Sequence, residues 1–157
     1  MVFGFGEGKL EIVLERSSFA PGEKISGKII IATSGDKNAD SLNVKFCGKM
    51  KTVSISTSMV RDMDTNVLKS AKQTDVTIKE VYPAEARVGG KQTYSKGAEI
   101  PFEIQIPSHV LDDRPGEGGN VYTQEPKWFV RAWLALPMSK DIEGEKEVYV
   151  EVKRRNP

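Results

Sequence analysis

The chain has 157 residues and a mass of 17.4 kDa. Its 23 basic and 22 acidic residues give a net charge of +1, without the basic field of a nucleic-acid-binding protein. One cysteine excludes an internal disulfide and favours a reducing compartment, and one histidine excludes a site built from two histidines. Residues 1–9 lack the basic and apolar regions of a secretory signal, so none is expected, and no apolar run approaches the roughly 20 residues of a membrane-spanning helix. We therefore expect residues 1–157 to form one cytoplasmic domain without integral membrane association.

The first quarter of the chain is typical of β-strands joined by turns. Residues 9–15 alternate apolar and polar side chains with the period of two that a half-buried strand requires. Pro21 and Gly22 fit the two central positions of a tight turn. Residues 25–32 are rich in β-branched side chains, which predicts a more buried strand. Residues 33–41 are polar and are predicted to form a loop.

The clearest alternation follows at residues 42–50, and the pattern continues through Val53 and Ile55. It predicts one strand with an apolar and a polar face. Residues 58–73 show no convincing period, so we expect a long loop there. A helical turn is expected within that loop near residues 67–72.

The second half of the chain continues the strand pattern. Residues 74–81 are predicted to form a strand, and residues 83–95 a polar segment with a glycine turn. Residues 99–106 alternate strictly, but Pro101 lacks the N–H of a ladder bond and therefore predicts an edge strand or a bulge. Residues 107–125 are predicted to be a long loop.

Two further strands complete the pattern. Residues 128–136 are apolar on both faces apart from Arg131, which predicts a central strand, and residues 147–152 alternate again. Gly27 and Gly48 lie on strand faces where a side chain would meet a close neighbour. Seven to nine short strands without a helical period predict an all-β fold, a two-sheet antiparallel, immunoglobulin-like β-sandwich. The expected contacts between the sheets are Ile100, Phe102, Trp128, Val130 and Leu134.

Four segments in a characteristic order resemble a known family. They are the strands on either side of the turn at residues 19–23, the strand ending at Gly48, residues 100–107 with two prolines, and residues 128–132. In these segments the chain resembles the arrestin-like superfamily, specifically a prokaryotic protein akin to the bacterial sporulation-control family. The resemblance implies the sandwich of an arrestin N-terminal domain.

The resemblance also implies a function through surfaces rather than catalysis. We expect a non-enzymatic binding, scaffold or regulatory protein that works through protein–protein contacts without a cofactor. Sheet edges can pair with partner strands, so self-association is expected through the strand containing Pro101 or through residues 52–58. The ionic latch, receptor binding and clathrin binding of two-domain arrestins do not carry over to this chain.

Arg131 is the residue singled out as a candidate partner contact. An arginine among apolar residues must reach solvent, stack on an aromatic ring or meet a carboxylate. A structural role satisfies the same requirement, so both interpretations stay open.

Other chemistry is weakly indicated. A small-ligand-binding or lipid-binding sandwich is one alternative function, and a metal-dependent hydrolase using His109, Asp112 and Asp113 is another. Cys47 between two lysines would need His109 as its base, and no third catalytic group is evident. The Asp62-x-Asp64-x-Asn66 spacing of a calcium loop lacks the required glycine and the bidentate glutamate. No catalytic, cofactor or metal residue is therefore assigned.

Overall fold

A computed structural model describes residues 8–114 and 119–154, and this part of the chain contains eleven β-strands and no helix. It accordingly offers no helix of the length and apolarity needed to cross a bilayer. The strands are β1 (Gly8–Leu14), β2 (Ser18–Phe19), β3 (Lys24–Thr33), β4 (Lys37–Ala39), β5 (Ser41–Arg61), β6 (Leu68–Gly89), β7 (Gln92–Tyr94), β8 (Glu99–Gln105), β9 (Val121–Thr123), β10 (Lys127–Ala135) and β11 (Ile142–Val150).

The strands form two principal sheets, which confirms the predicted all-β sandwich. One sheet has the order β1–β3–β8, and the other has the order β2–β11–β10–β5–β6 with β9 added beside β5. A small third sheet pairs β4 with β7. Neighbouring strands are antiparallel except for the short pair of β2 and β11.

The core lies between the two principal sheets because each strand turns alternate side chains inward. The Phe46 and Trp128 rings are stacked at the centre, with centroids 5.7 Å apart and planes 6° apart. Of the predicted intersheet contacts, four are buried and Ile100 is partly buried against them. Other fully buried side chains are Ile25, Ile29, Ile31, Leu42, Val44, Ile106 and Val110.

Several strand positions are those expected from the sequence. β3, rich in isoleucine, lies between β1 and β8, and β10 lies between β11 and β5. β8, which contains Pro101, is an edge strand of the three-stranded sheet. Proline is tolerated there because an edge strand leaves half of its backbone groups without a ladder partner.

The loop predicted at residues 58–73 is wrong. β5 continues to Arg61, a short turn follows, and β6 begins at Leu68. The two strands pair in one unbroken register from Lys49 opposite Glu80 to Arg61 opposite Leu68. Residues 58–73 mix apolar, charged and hydroxyl side chains without a period of two, and nearly all of them are exposed, so only the cross-strand pairing reveals the hairpin.

Three shorter predictions of loops are also corrected. β4 lies within residues 33–41 and pairs with β7, which lies within residues 83–95. β6 continues through residues 83–89, and β9 lies within residues 107–125. These segments become strands because backbone partners meet them in the folded chain, although their own sequences are polar.

A bulge separates the lower and upper parts of the β5–β6 hairpin. Phe46 lies opposite Ala84 and Gly48 lies opposite Val81, so two β6 residues face the single residue between them on β5. One of the two, Tyr82, has a φ of +50°. A Cβ on Gly48 would lie 2.5 Å from Cζ3 of the Trp128 ring, which confirms that this glycine makes room for a close neighbour.

Gly48→Ala is therefore expected to lower the free energy of unfolding by about 1–3 kcal/mol, because the stacked Trp128 ring cannot move aside without straining the core. Gly35→Ala is the matched control, since a Cβ there meets no atom within 4 Å. Urea unfolding followed by tryptophan fluorescence measures both variants. Equal unfolding midpoints for the two would contradict this account of Gly48.

Candidate functional site

The upper part of the hairpin projects beyond the sandwich as a two-stranded ribbon, defined here as residues 53–78. Its two faces differ in chemistry because side chains alternate along each strand and opposed residues share a face. One face, called the hydroxyl face, carries Ser54, Ser56, Ser58, Gln73, Asp75 and Thr77. The other, called the apolar face, carries Val53, Ile55, Met59, Leu68, Val76 and Ile78, with Tyr122 of β9 beside Val53.

The apolar face has no covering element among the described residues. Val53 is only 7% exposed because Val76 and Tyr122 flank it, but Met59 is 61% exposed and Ile78 is 65% exposed. Exposed apolar patches mark interaction sites on folded proteins. Here the Thr57–Lys72 pair separates Met59 and Leu68 at the tip from the apolar residues at the base. The ribbon thus presents exposed apolar side chains on one face of two hydrogen-bonded strands.

The charges on the apolar face are positive. Lys51 lies opposite Ile78 and Lys72 lies opposite Thr57. Neither lysine forms an ion pair within residues 8–114 and 119–154. Within the paired strands of residues 53–78, Asp75 belongs to the hydroxyl face, and Asp62 and Asp64 lie in the turn at the tip. Glu80 follows Ile78 on the lysines' own face, but it is paired with Lys45. The face therefore favours partners that carry negative charge at the rim of an apolar patch.

A shallow cavity of about 210 Å³ lies at the base of the ribbon. Its volume is below the several hundred Å³ that are usual for a small-molecule site. It is lined by Lys49, Lys51, Ile78, Gln124, Glu125, Lys127 and Phe129.

Arg131 lies on the outer face of the same sheet, next to the predicted aromatic and carboxylate partners. Its guanidinium pairs with Glu143 and lies 5.6 Å from the centroid of the Trp133 ring. The side chain keeps 40% of its surface exposed, so no unpaired charge is buried. Contacts within the chain therefore account for the charge of Arg131, and its contact with a partner stays a prediction.

Cys47 lies at the bulge between two lysines, as its position on the polar face predicted, but it is 3% exposed. Burial, followed by the nearby Glu80 carboxylate, raises the pKa of its thiol to about 11. Lys45 lies 2.7 Å from Glu80 and holds the pKa of that carboxyl below its usual value. Burial thus outweighs the two lysines, and the thiol has neither a low pKa nor a catalytic base beside it.

The hydrolase residues do not assemble into a metal site. Oδ2 of Asp112 lies 3.2 Å from Nε of Arg114, and Asp113 accepts a 3.3 Å hydrogen bond from the Tyr82 hydroxyl. His109 is exposed and packs edge-on against the Tyr82 ring. Across residues 8–114 and 119–154, no group of three histidine, cysteine, aspartate or glutamate side chains is placed to hold a metal ion.

The acidic residues at the ribbon tip organise a turn. Oδ1 of Asp62 accepts a 2.9 Å hydrogen bond from the backbone N–H of Asp64, and its other oxygen lies 3.1 Å from Lys69. Asn66 has a φ of +59°, which asparagine tolerates in turns. The spacing that resembles a calcium loop thus closes a hairpin.

The sandwich and its strand order define the class of the protein. The profile of the family "Arrestin (or S-antigen), N-terminal domain" matches residues 10–153, so the chain belongs to the arrestin N-terminal domain family. No curated protein matches the sequence.

Among solved structures, the chain is similar to Spo0M, a sporulation control protein from Bacillus subtilis. The TM-score is 0.56 at 18% sequence identity, and the match covers 94% of this chain and 50% of that chain. This chain thus spans about half the length of Spo0M, and at this identity the likeness establishes a common fold.

The raised pKa of Cys47 predicts slow alkylation of the native protein. At pH 8 the thiolate fraction falls roughly a hundredfold when a thiol pKa rises from about 9 to about 11, so iodoacetamide should label Cys47 at least that much more slowly in the folded chain than in urea. Mass spectrometry of timed samples measures the two rates. Comparable rates in both conditions would show that the thiol is accessible and ionised in the fold.

The pairing of Arg131 with Glu143 predicts a small coupling in a double-mutant cycle. Arg131→Ala, Glu143→Ala and the double variant should give a coupling energy of about 0.2–1 kcal/mol, which decreases with added salt because both groups are exposed. Urea unfolding at low and high salt measures it. A zero coupling at low salt would mean that Glu143 does not hold the guanidinium.

Proposed function

We propose that this chain is a non-enzymatic, arrestin-like binding protein that acts in the cytoplasm as a scaffold or regulator. Residues 1–157 would act as one domain, and the apolar face of the ribbon would contact a protein partner. The single observation that supports the proposal is the exposed apolar face on a projecting ribbon, at positions such as Met59 and Ile78. An arrestin-like fold and the likeness to a sporulation control protein agree with a regulatory role.

The shape of this surface favours a protein partner over a small ligand. The apolar face is one side of a two-stranded sheet, whereas small molecules are usually enclosed in concave cavities. A partner with an apolar centre and acidic rim residues would cover the exposed side chains and meet Lys51 and Lys72. Arg131 is a second predicted contact on the outer face of the sheet.

Site-specific photo-crosslinking in the native cells tests this proposal. Benzoylphenylalanine replaces Met59 on the apolar face or Ser58 on the hydroxyl face, two neighbouring exposed positions. We expect ultraviolet light to give discrete adducts with another protein from position 59 and little product from position 58. Mass spectrometry identifies the attached species and separates them from a second copy of this chain.

Other outcomes would overturn the proposal. Equal adducts from positions 58 and 59, or none from either, would show that the apolar face is not a recognition surface. Adducts with lipid alone would support the lipid-binding alternative in place of a protein partner. A circular dichroism spectrum like that of the unmodified chain is the control that both variants fold.

A further inference from the structure

The outer edge of β6 is an unpaired strand edge. β6 pairs with β5 on one side, and within the described residues no strand pairs with its other side. The strand runs from Leu68 to Gly89, and the bulge at Tyr82 and Pro83 interrupts it. Above that bulge, at residues 68–81, the edge is long, regular and free of proline, which is the form of edge that accepts another strand.

The hydrogen bonds of β5 show which β6 residues face this open edge. The N–H of Ile55 donates to the carbonyl of Asn120, and the N–H of Gln124 donates to the carbonyl of Lys51. The odd-numbered residues in this part of β5 therefore direct their backbone N–H and C=O groups toward β9. Even-numbered residues such as Ser54 must therefore bond to β6, where Ser54 lies opposite Asp75. The β6 residues that alternate with Asp75 direct their N–H and C=O groups outward. They are Ser70, Lys72, Thr74, Val76 and Ile78.

We propose that two copies of this chain pair through this edge, antiparallel and centred on Val76, to join their large sheets into one. A two-fold axis perpendicular to the sheet places Val76 opposite Val76 of the second copy and Thr74 opposite Ile78 of the second copy. Each even-numbered residue then lies opposite an even-numbered residue of the second copy. The outward N–H and C=O groups of the two residues can therefore bond to each other, as the hydrogen-bonded pairs of an antiparallel ladder require.

Charge complementarity and ladder length together select this register. Lys72 lies opposite Glu80 of the second copy, and the symmetry repeats this favourable pair on the other side of the axis. A shift of the centre to Asp75 would place two aspartates directly opposite each other. A shift to Thr77 would pair Asp75 with Lys79, but it would place Lys72 opposite Tyr82, at the bulge, and would shorten the ladder. The Val76 centre uses residues 71–81 and ends before Pro83.

The pairing leaves the internal ion pair of Glu80 intact. Glu80 lies 2.7 Å from Lys45 and keeps 44% of its side-chain surface exposed, so its carboxylate has room for a second lysine. Because the axis is perpendicular to the sheet, the apolar faces of both ribbons lie on the same side. Val76 and Ile78, both more than half exposed in one copy, gain cross-strand neighbours. This inference concerns the edge of the ribbon and does not depend on what binds its face.

The oligomeric state of the full chain tests the proposal. Sedimentation velocity over a wide concentration range should show a species of twice 17.4 kDa that dissociates on dilution. Val76→Pro removes an outward N–H without removing a bond to β5, so it should give a monomer. Val76→Thr keeps this N–H and is the matched control. Lys72→Glu places like charges opposite each other in both symmetric pairs and should weaken the dimer about tenfold.

Crosslinking fixes the register even where the proline variant is poorly folded. Val76→Cys should join two copies through a short bifunctional thiol reagent, because the paired Cα atoms would be about 5.5 Å apart. Thr57→Cys, on the opposite edge of the ribbon, should not. A wild-type monomer at every concentration, an undiminished dimer in a folded Val76→Pro chain, or crosslinking from position 57 and not from position 76 would each overturn the proposal.

Discussion

The packing of Trp128 over Gly48 and against Phe46 is the contact on which the rest of this structure depends. It fixes the register of β5 against β10 on one side and, through the bulge beside Cys47, against β6 on the other. A slip of one residue would exchange the two faces of every strand involved. The core register therefore decides which ribbon face is apolar and which backbone groups of β6 point outward, although the ribbon itself lies outside the core.

On the outer face of the large sheet, the charged groups near Cys47 and Arg131 are paired, and the Cys47 thiol is protonated. Lys45 and Glu80 neutralise each other beside Cys47, whose thiol stays protonated because of its burial. Arg131 is likewise held by Glu143 and lies over Trp133. These groups satisfy one another, whereas the ribbon carries several exposed apolar side chains on one face. The proposed binding role rests on this exposed apolar face.

The ribbon combines two surfaces that proteins usually protect. An exposed apolar face can bind another apolar surface, and an open strand edge can pair with a strand of another chain. Lysines along β6, such as Lys69 and Lys72, restrict which strands can be added, because an incoming strand must place acidic or neutral residues opposite them. Specific association through such an edge thus requires a matched charge pattern, and β6 contains a matching pattern of its own.

The sequence by itself determined the class of fold and most of the sandwich. Period-two alternation at residues 9–15, 42–50 and 99–106 located three strands, and Pro101 correctly indicated an edge. These signals are local, because one buried face imposes a strong hydrophobic contrast along each strand. The family was also recognisable, since its characteristic segments keep their order along the chain.

Only the tertiary structure showed that residues 58–73 belong to a two-stranded ribbon and that Cys47 is buried. In residues 58–73 both faces of the ribbon meet solvent, so burial imposes no contrast that a sequence pattern would record, and the strands exist through their pairing. The alternation of Val53 and Ile55 with serines was a partial signal, but it could not show where the strand ends. Cys47 followed the polar pattern of its strand, yet the bulge and the neighbouring side chains bury it. Such outcomes depend on residues distant in the chain, and for that reason local sequence could not supply them.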